Sequence, residues 1–199
     1  MAERTRGRTR WVRFVGTLGL GLVGAVALLF GISQGAFAAS FSVSGTSFKV
    51  SADKLTGTGF VQFGSIDAGS GQAHPVAVSG FKTATLDGFC QSVFLPALPI
   101  VGDVTLRITA PGQGGMDADN LVVGLTDLNG DLTLQAPDIG IDASKMTKGP
   151  AVGTPGAFGI QADSATVTNV QQVAWSTTAQ TIRFHGMSLS VRGGKNECF

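Results

Sequence analysis

The sequence predicts an all-β domain following a basic, apolar leader. Apolar residues alternate with Ser and Thr at a period of two wherever a period is visible. Helix-favouring residues are scarce, with Glu197 the one Glu after residue 38, while glycine is plentiful at 29 of 199 residues. Such a domain reads as stacked antiparallel hairpins, arranged as a sandwich or as an open groove.

The leader comes first. Arg4, Arg6, Arg8, Arg10 and Arg13 precede an uncharged, largely apolar run from Phe14 to Ile32, and Ala36-Phe37-Ala38 then places small residues where a signal peptidase reads them. This order predicts a signal peptide over residues 1–38, cut between Ala38 and Ala39, and a mature domain over 39–199. No two arginines are adjacent, so the twin-arginine pattern is absent. The same apolar run is long enough to span a bilayer, so the alternative is an uncleaved anchor holding the chain to a membrane through residues 14–32. Removing residues 1–38 takes five of the 14 Lys/Arg and one of the 13 Asp/Glu, leaving 9 against 12 and a net charge of about −3. A mildly acidic domain lacks the clustered cations of a nucleic-acid binder, and its apolar content excludes a disordered chain.

Within 39–199 the alternating segments are Phe41–Val43, Phe48–Val50, Val76–Val78, Val104–Ile108, Leu121–Leu125, Leu132–Leu134, Ile139–Ile141 and Met187–Val191. Asn129-Gly130 predicts a two-residue hairpin turn, since a type I′ turn needs positive φ at both central positions. Gly57, Gly64, Gly80, Pro111-Gly112, Pro137-Asp138 and Gly193-Gly194 predict further breaks. Residues 68–75 and 148–159 read as long loops, and Leu95–Val101 as an exposed apolar loop near Cys90. Ala52-Asp53-Lys54-Leu55, Ala118-Asp119-Asn120-Leu121 and Ala162-Asp163-Ser164-Ala165 repeat one phrase and are expected to introduce strands. In an exported chain Cys90 and Cys198, with no third cysteine, predict one disulfide that ties the C-terminus to the middle of the chain.

Catalytic and metal patterns are sparse. Gly31-Ile-Ser-Gln-Gly35 matches a nucleophile elbow but lies in the leader and outside any α/β context. Asp127-Leu-Asn129-Gly130-Asp131 begins like a calcium loop, yet its Gly comes one position early and no Glu closes it. Asp117 and Asp119 leave a surface calcium site open. His74 and His185 are the two histidines; nothing in sequence pairs either with a nucleophile, and His185 is expected on the solvent face. No cofactor or metal is expected. The apolar strand residues Phe60, Phe63, Leu121, Val123, Leu125, Trp175, Phe184 and Leu189 are either a closed core or the wall of an apolar ligand groove.

Gln72-Ala-His-Pro-Val-Ala-Val-Ser-Gly80, Gln171-Gln-Val-Ala-Trp-Ser176 and Asn196-Glu-Cys-Phe199 resemble an uncharacterised family of secreted actinobacterial proteins, over the whole mature chain. Some of its members carry the label cholesterol esterase, and the resemblance supplies no catalytic residue. The Ala-Asp-x-apolar phrases are more loosely similar to β-taco lipid-conveying proteins. The resulting expectation is a non-enzymatic protein, secreted or in the cell envelope, that binds a lipid or other apolar molecule. The alternatives are a structural or surface-interaction protein of the envelope and, third, an esterase acting on lipid esters.

Overall fold

A computed structural model describes residue 11 and residues 46–69 and 72–199. The signal peptide, the Ala38/Ala39 cleavage point, the anchor run 14–32 and the Phe41–Val43 strand lie outside the described residues.

The described chain is a single antiparallel sheet of nine strands: β1 Phe48–Gly69, β2 Gln72–Asp87, β3 Phe89–Leu98, β4 Gly102–Ala110, β5 Met116–Gln135, β6 Asp138–Asp142, β7 Phe158–Thr178, β8 Thr181–Phe184 and β9 Ser188–Gly193. The all-β expectation holds, and strand neighbours run in the order β6-β7-β5-β2-β1-β3-β4-β9, with β8 beside β5. Register explains how few independent strands there are. Along β1, Lys54 faces Asp87 and Ser51 faces Cys90, so β2 and β3 are one paired line bent at Gly88. Gly88 sits at φ 63, where a side chain would strain the backbone and meet the Asp53 carboxyl. Its N–H donates to the Gly112 carbonyl at 2.8 Å. In the same way β7 and β8 follow β5 without losing step, from Thr177 opposite Val123 to Thr181 opposite Asp119. β9 then follows β4. β4 and β5 likewise follow one another along the β2–β3 line, from Ala110 opposite Phe89 to Met116 opposite Leu86. Four long lines of chain, β1, β2–β3, β4–β5 and β7–β9, therefore make the sheet, and β6 adds a short strand to β7.

One part of the sheet closes on itself, because β1 pairs with β2 along one edge and with β7 along the other. Gly64 faces Ala77, Ala77 faces Leu125, Leu125 faces Ala174, and Ala174 faces Phe48. A full circuit thus returns to β1 sixteen residues earlier, at position 48 instead of 64. Four unstaggered strands about 4.8 Å apart would close on a circumference of about 19 Å, which leaves no room for side chains. Sixteen residues of stagger at about 3.3 Å each raise that to about 56 Å, a radius of about 9 Å. The interior accordingly holds a core that includes Phe60, Phe81, Leu86, Phe89, Leu121, Leu125 and Val167.

A second, smaller core lies on the other face of β1. Val61 and Phe63 point there, one step out of phase with Phe60, and pack with Ala143 and Met146. These come from the strap between β6 and β7, whose short 3-10 turn, Ala143–Lys145, is capped by the Asp142 carboxylate accepting from Ser144 N at 2.9 Å. Gln161 Oε1 holds the strap further by accepting from Thr147 N at 2.9 Å and Lys148 N at 3.2 Å.

Several local expectations change. Asn129-Gly130 is not a hairpin turn: β5 runs through it, with Asn129 opposite Gln171 and Asp131 opposite Thr168. The runs on either side both find β7, so neither needs to fold back on the other, and Gly130 at φ 149 forms an irregularity in the ladder. Residues 68–75 are not a long loop, since pairing continues to Gly69 opposite Gln72. Gly57, Gly64 and Gly80 do not break strands, and the Ala-Asp phrases lie within β1, β5 and β7 rather than at their starts. The 148–159 loop is present, as the end of the strap.

The predicted disulfide joins Cys90 and Cys198 across 108 residues of sequence, with Cα atoms 5.9 Å apart. Replacing both cysteines by alanine is expected to lower the unfolding free energy by about 2–5 kcal/mol, measured by guanidinium denaturation of the oxidised protein and the variant. An unchanged midpoint would contradict this.

Candidate functional site

Beyond Ser92, β3 leaves β1 behind, and β3, β4 and β9 continue as an open three-stranded sheet. Residues directly opposite in an antiparallel pair share a face, so register gives the composition of both sides. One face carries Gln91, Val93 and Leu95 from β3, Val104, Leu106 and Ile108 from β4, and Leu189 and Val191 from β9. The other, polar apart from Phe94 and the cysteine, carries Cys90, Ser92, Phe94, Thr105, Arg107, Thr109, Ser188, Ser190 and Arg192.

The polar face is covered by the chain's own end. The disulfide fixes Cys198 over Cys90, Cys198 N donates to Ser92 Oγ at 3.0 Å, and Asn196 N donates to Thr105 Oγ1 at 3.0 Å. Thr105 Oγ1 in turn donates to the Gly194 carbonyl at 2.7 Å. Ser92 and Thr105 are thus fully buried with their hydrogen bonds made. Lys49 clamps the tail, reaching Glu197 at 3.2 Å, the Phe199 carbonyl at 3.0 Å and the Phe199 ring at 5.0 Å. Lys195 also pairs with Glu197, at 3.1 Å. Burial pushes the Glu197 carboxyl up, but hydrogen bonds and charge from Lys195 and Lys49 outweigh it and hold the group below the ordinary glutamate range.

The apolar face has no such cover among the described residues. Leu189 is 56 % exposed and Val191 64 %, whereas Val93, Leu95, Val104, Leu106 and Ile108 are half-buried. Ile108 packs against the main core, and Phe89 meets Phe184 at 5.4 Å between ring centres, so the face runs directly into the rolled interior. That interior contains an apolar cavity of about 70 Å³, lined among others by Val50, Phe60, Phe81, Phe89 and Gln91. Sites for drug-sized ligands occupy roughly 300–1,000 Å³. The closed part is therefore filled by its own side chains, and a roomier, half-open cavity of about 710 Å³ lies at the other end of β1, between Gly64–Ile66, Pro75–Ala77 and Thr126.

The eight apolar residues singled out from sequence are distributed unevenly. Phe60, Leu121, Val123, Leu125 and Phe184 line the cavity. Leu189 is on the open apolar face. Phe63 faces the second core under the strap, because it is three residues from Phe60 and so on the opposite side of β1. Trp175 falls at a register shift between β5 and β7 and stacks on His74, with ring centres 3.7 Å apart. Leu106, Ile108 and Val191 were not singled out. Their alternation was visible, but alternation states which residues share a face and not whether that face finds a partner.

The other candidates are engaged locally. Asp117 accepts from Thr85 Oγ1 at 2.7 Å and contacts His185 Nε2 at 3.1 Å, so hydroxyl and imidazole meet on one carboxylate rather than on each other. Asp119 pairs with Arg183 at 3.2 Å, and Asp131 accepts from Thr168 and Asn169. Among the described residues no group of three or more His, Cys, Asp or Glu is placed to hold a metal.

Comparison with known proteins gives one relationship: the model of a family of unknown function, DUF6230, matches residues 44–199. No curated protein matches, and no solved structure matches.

Two measurements check this layout. Phe89→Ala is expected to cost about 3 kcal/mol or more, while Leu189→Ser with Val191→Ser changes stability by no more than about 0.5 kcal/mol per site; equal losses in denaturation would mean that the open face is covered. Because the folded-state pKa of Glu197 is depressed, the tail clamp contributes fully above the ordinary value of 4.5 and is lost as pH falls through the lower folded value. Unfolding midpoints should therefore fall more steeply below about pH 4.5 in the native chain than in Glu197→Gln; parallel curves would contradict the clamp.

Proposed function

This chain belongs to the DUF6230 family, and since that family is of unknown function we propose from the geometry that it is an exported, non-enzymatic protein that holds a lipid or similar elongated apolar molecule. The binding surface in this reading is the apolar face of β3, β4 and β9. The observation that carries it is the unequal treatment of the two faces of one small sheet. The polar face receives a disulfide, a salt-bridge clamp and the last residues of the chain, while the apolar face is left uncovered among the described residues.

Burying apolar surface is worth about 25 cal/mol per Å², so ordinary folding would be expected to cover the hydrophobic side first. An apolar strip left uncovered supports the binding of another molecule there. Its shape supports a chain-like ligand: Leu95, Val104 and Leu106 at one end lead through Ile108 to Phe89 and the cavity. The disulfide is compatible with a location outside the cytoplasm, which is where the basic, apolar leader would send the protein.

Titration of the purified chain with a fluorescent C16 fatty acid tests the reading. Saturable binding is expected, weakened at least tenfold by Leu106→Asp or Leu189→Asp and little changed by Ile66→Asp, a substitution at an exposed apolar residue away from this face. Absence of saturable binding, or equal loss in all three variants, would refute it.

A further inference from the structure

The hairpin that joins β3 to β4 ends in Pro96-Ala97-Leu98-Pro99-Ile100-Val101, within a stretch, residues 88–102, that contains no charged side chain. Ile100 is fully exposed, at 106 % of its reference area, and Val101 is 64 % exposed. Ile100 also has a φ of 76°, in the left-handed region that turns usually give to Gly or Asn and that a β-branched side chain tolerates poorly. Ala97 has positive φ as well, at 53°. The tip thus presents apolar side chains to water and does so against backbone preference.

Its shape is set from within. Asp103 Oδ1 accepts from Ala97 N at 2.9 Å, Leu98 faces Gly102, and the Asp103 carbonyl accepts from Gly194 N at 2.8 Å. A polar backbone group at the tip is therefore satisfied by an acid at its base. Strain held in an exposed turn by surrounding bonds points to a function for that turn.

We propose that residues 96–101 insert into the surface of a lipid bilayer, with Asp103 marking the depth at which charge stops further entry. A membrane fits better than a second copy of the chain. The tip is six residues wide, whereas a stable protein interface takes about 20–30 residues from each side. Charge attraction does not supply the contact either, since the domain after residue 38 is near −3. Insertion should therefore occur on zwitterionic lipid and survive salt that screens surface charges. The tip continues through Leu95 and Val104 into the apolar face, so a lipid leaving the bilayer would meet that face directly; only this last step rests on the function proposed above.

Hydrogen exchange of the full chain with and without phosphatidylcholine vesicles, at 0.1 M and about 0.5 M NaCl, tests the proposal locally. Attachment of the chain through any other segment would not by itself slow exchange at the tip. Peptides covering residues 95–103 are expected to exchange at least threefold more slowly with vesicles at both salt concentrations. Ile100→Asp with Val101→Asp should abolish that slowing, and because Asp accepts left-handed backbone more readily than Ile, its fatty-acid binding and circular dichroism should match the native chain. Unchanged exchange at 95–103 with fatty-acid binding intact overturns the tip proposal and leaves the binding reading standing. Slowing at the tip without fatty-acid binding supports the tip and removes the binding reading. Slowing that tracks protein concentration in the absence of vesicles would assign the tip to contact between copies and also overturn the proposal.

Discussion

Everything in this fold depends on β1 being long enough to hydrogen-bond along both edges. Its 22 residues pair with β2 and the start of β3 on one side and with β7 on the other. The sixteen-residue stagger that results turns four lines of chain into a tube wide enough for Phe60, Phe81 and Leu121 inside. Closure also ends where β1 ends. The last pairs at its N-terminal end are Phe48 with Ala174 and Lys49 with Ser92. The outer parts of β3 and β4, with β9, consequently extend past the tube as a sheet neither of whose faces is closed by β1. The open face is a geometric consequence of how long one strand is, not an added module.

Two faces then require two solutions. The polar side buries Ser92 and Thr105, which could not be left without partners in a dry contact, and the C-terminal tail supplies them through its backbone N–H and C=O groups. The disulfide keeps that tail in place at a separation of 108 residues, where an untethered end would readily fray. The apolar side has Leu189 and Val191 on an edge strand, a place where natural sheets usually put charge. In the proposed function this departure is the working surface, and the covered polar side is what keeps it rigid.

Much of the fold was legible in the residues, and the misreadings have a common cause. Period-two alternation identified the strand class and most strand segments, and the pair of cysteines identified the disulfide. Glycine was misread: Gly57, Gly80 and Asn129-Gly130 looked like punctuation, but here they let strands bend and approach closely inside a tightly coiled tube. Gly57 and Gly80 lie against Phe81 and Val61, where side chains of their own would collide. Phe63 shows another limit. A single sequence does not reveal that β1 has a core on each side, so Phe60 and Phe63 were grouped although they face apart. Leu106, Ile108 and Val191 were missed for the reverse reason: whether an apolar face is covered depends on chain packed from elsewhere, here a C-terminal tail that chose the other side.

In the proposed function an apolar ligand lies along β3, β4 and β9 and not inside the closed tube. Photo-crosslinking with a diazirine-bearing C16 fatty acid, followed by peptide mass spectrometry, locates the ligand most directly. Adducts are expected within residues 93–108 and 187–193. Adducts confined to residues 55–63, 121–134 and 160–170, the walls of the tube, would contradict it.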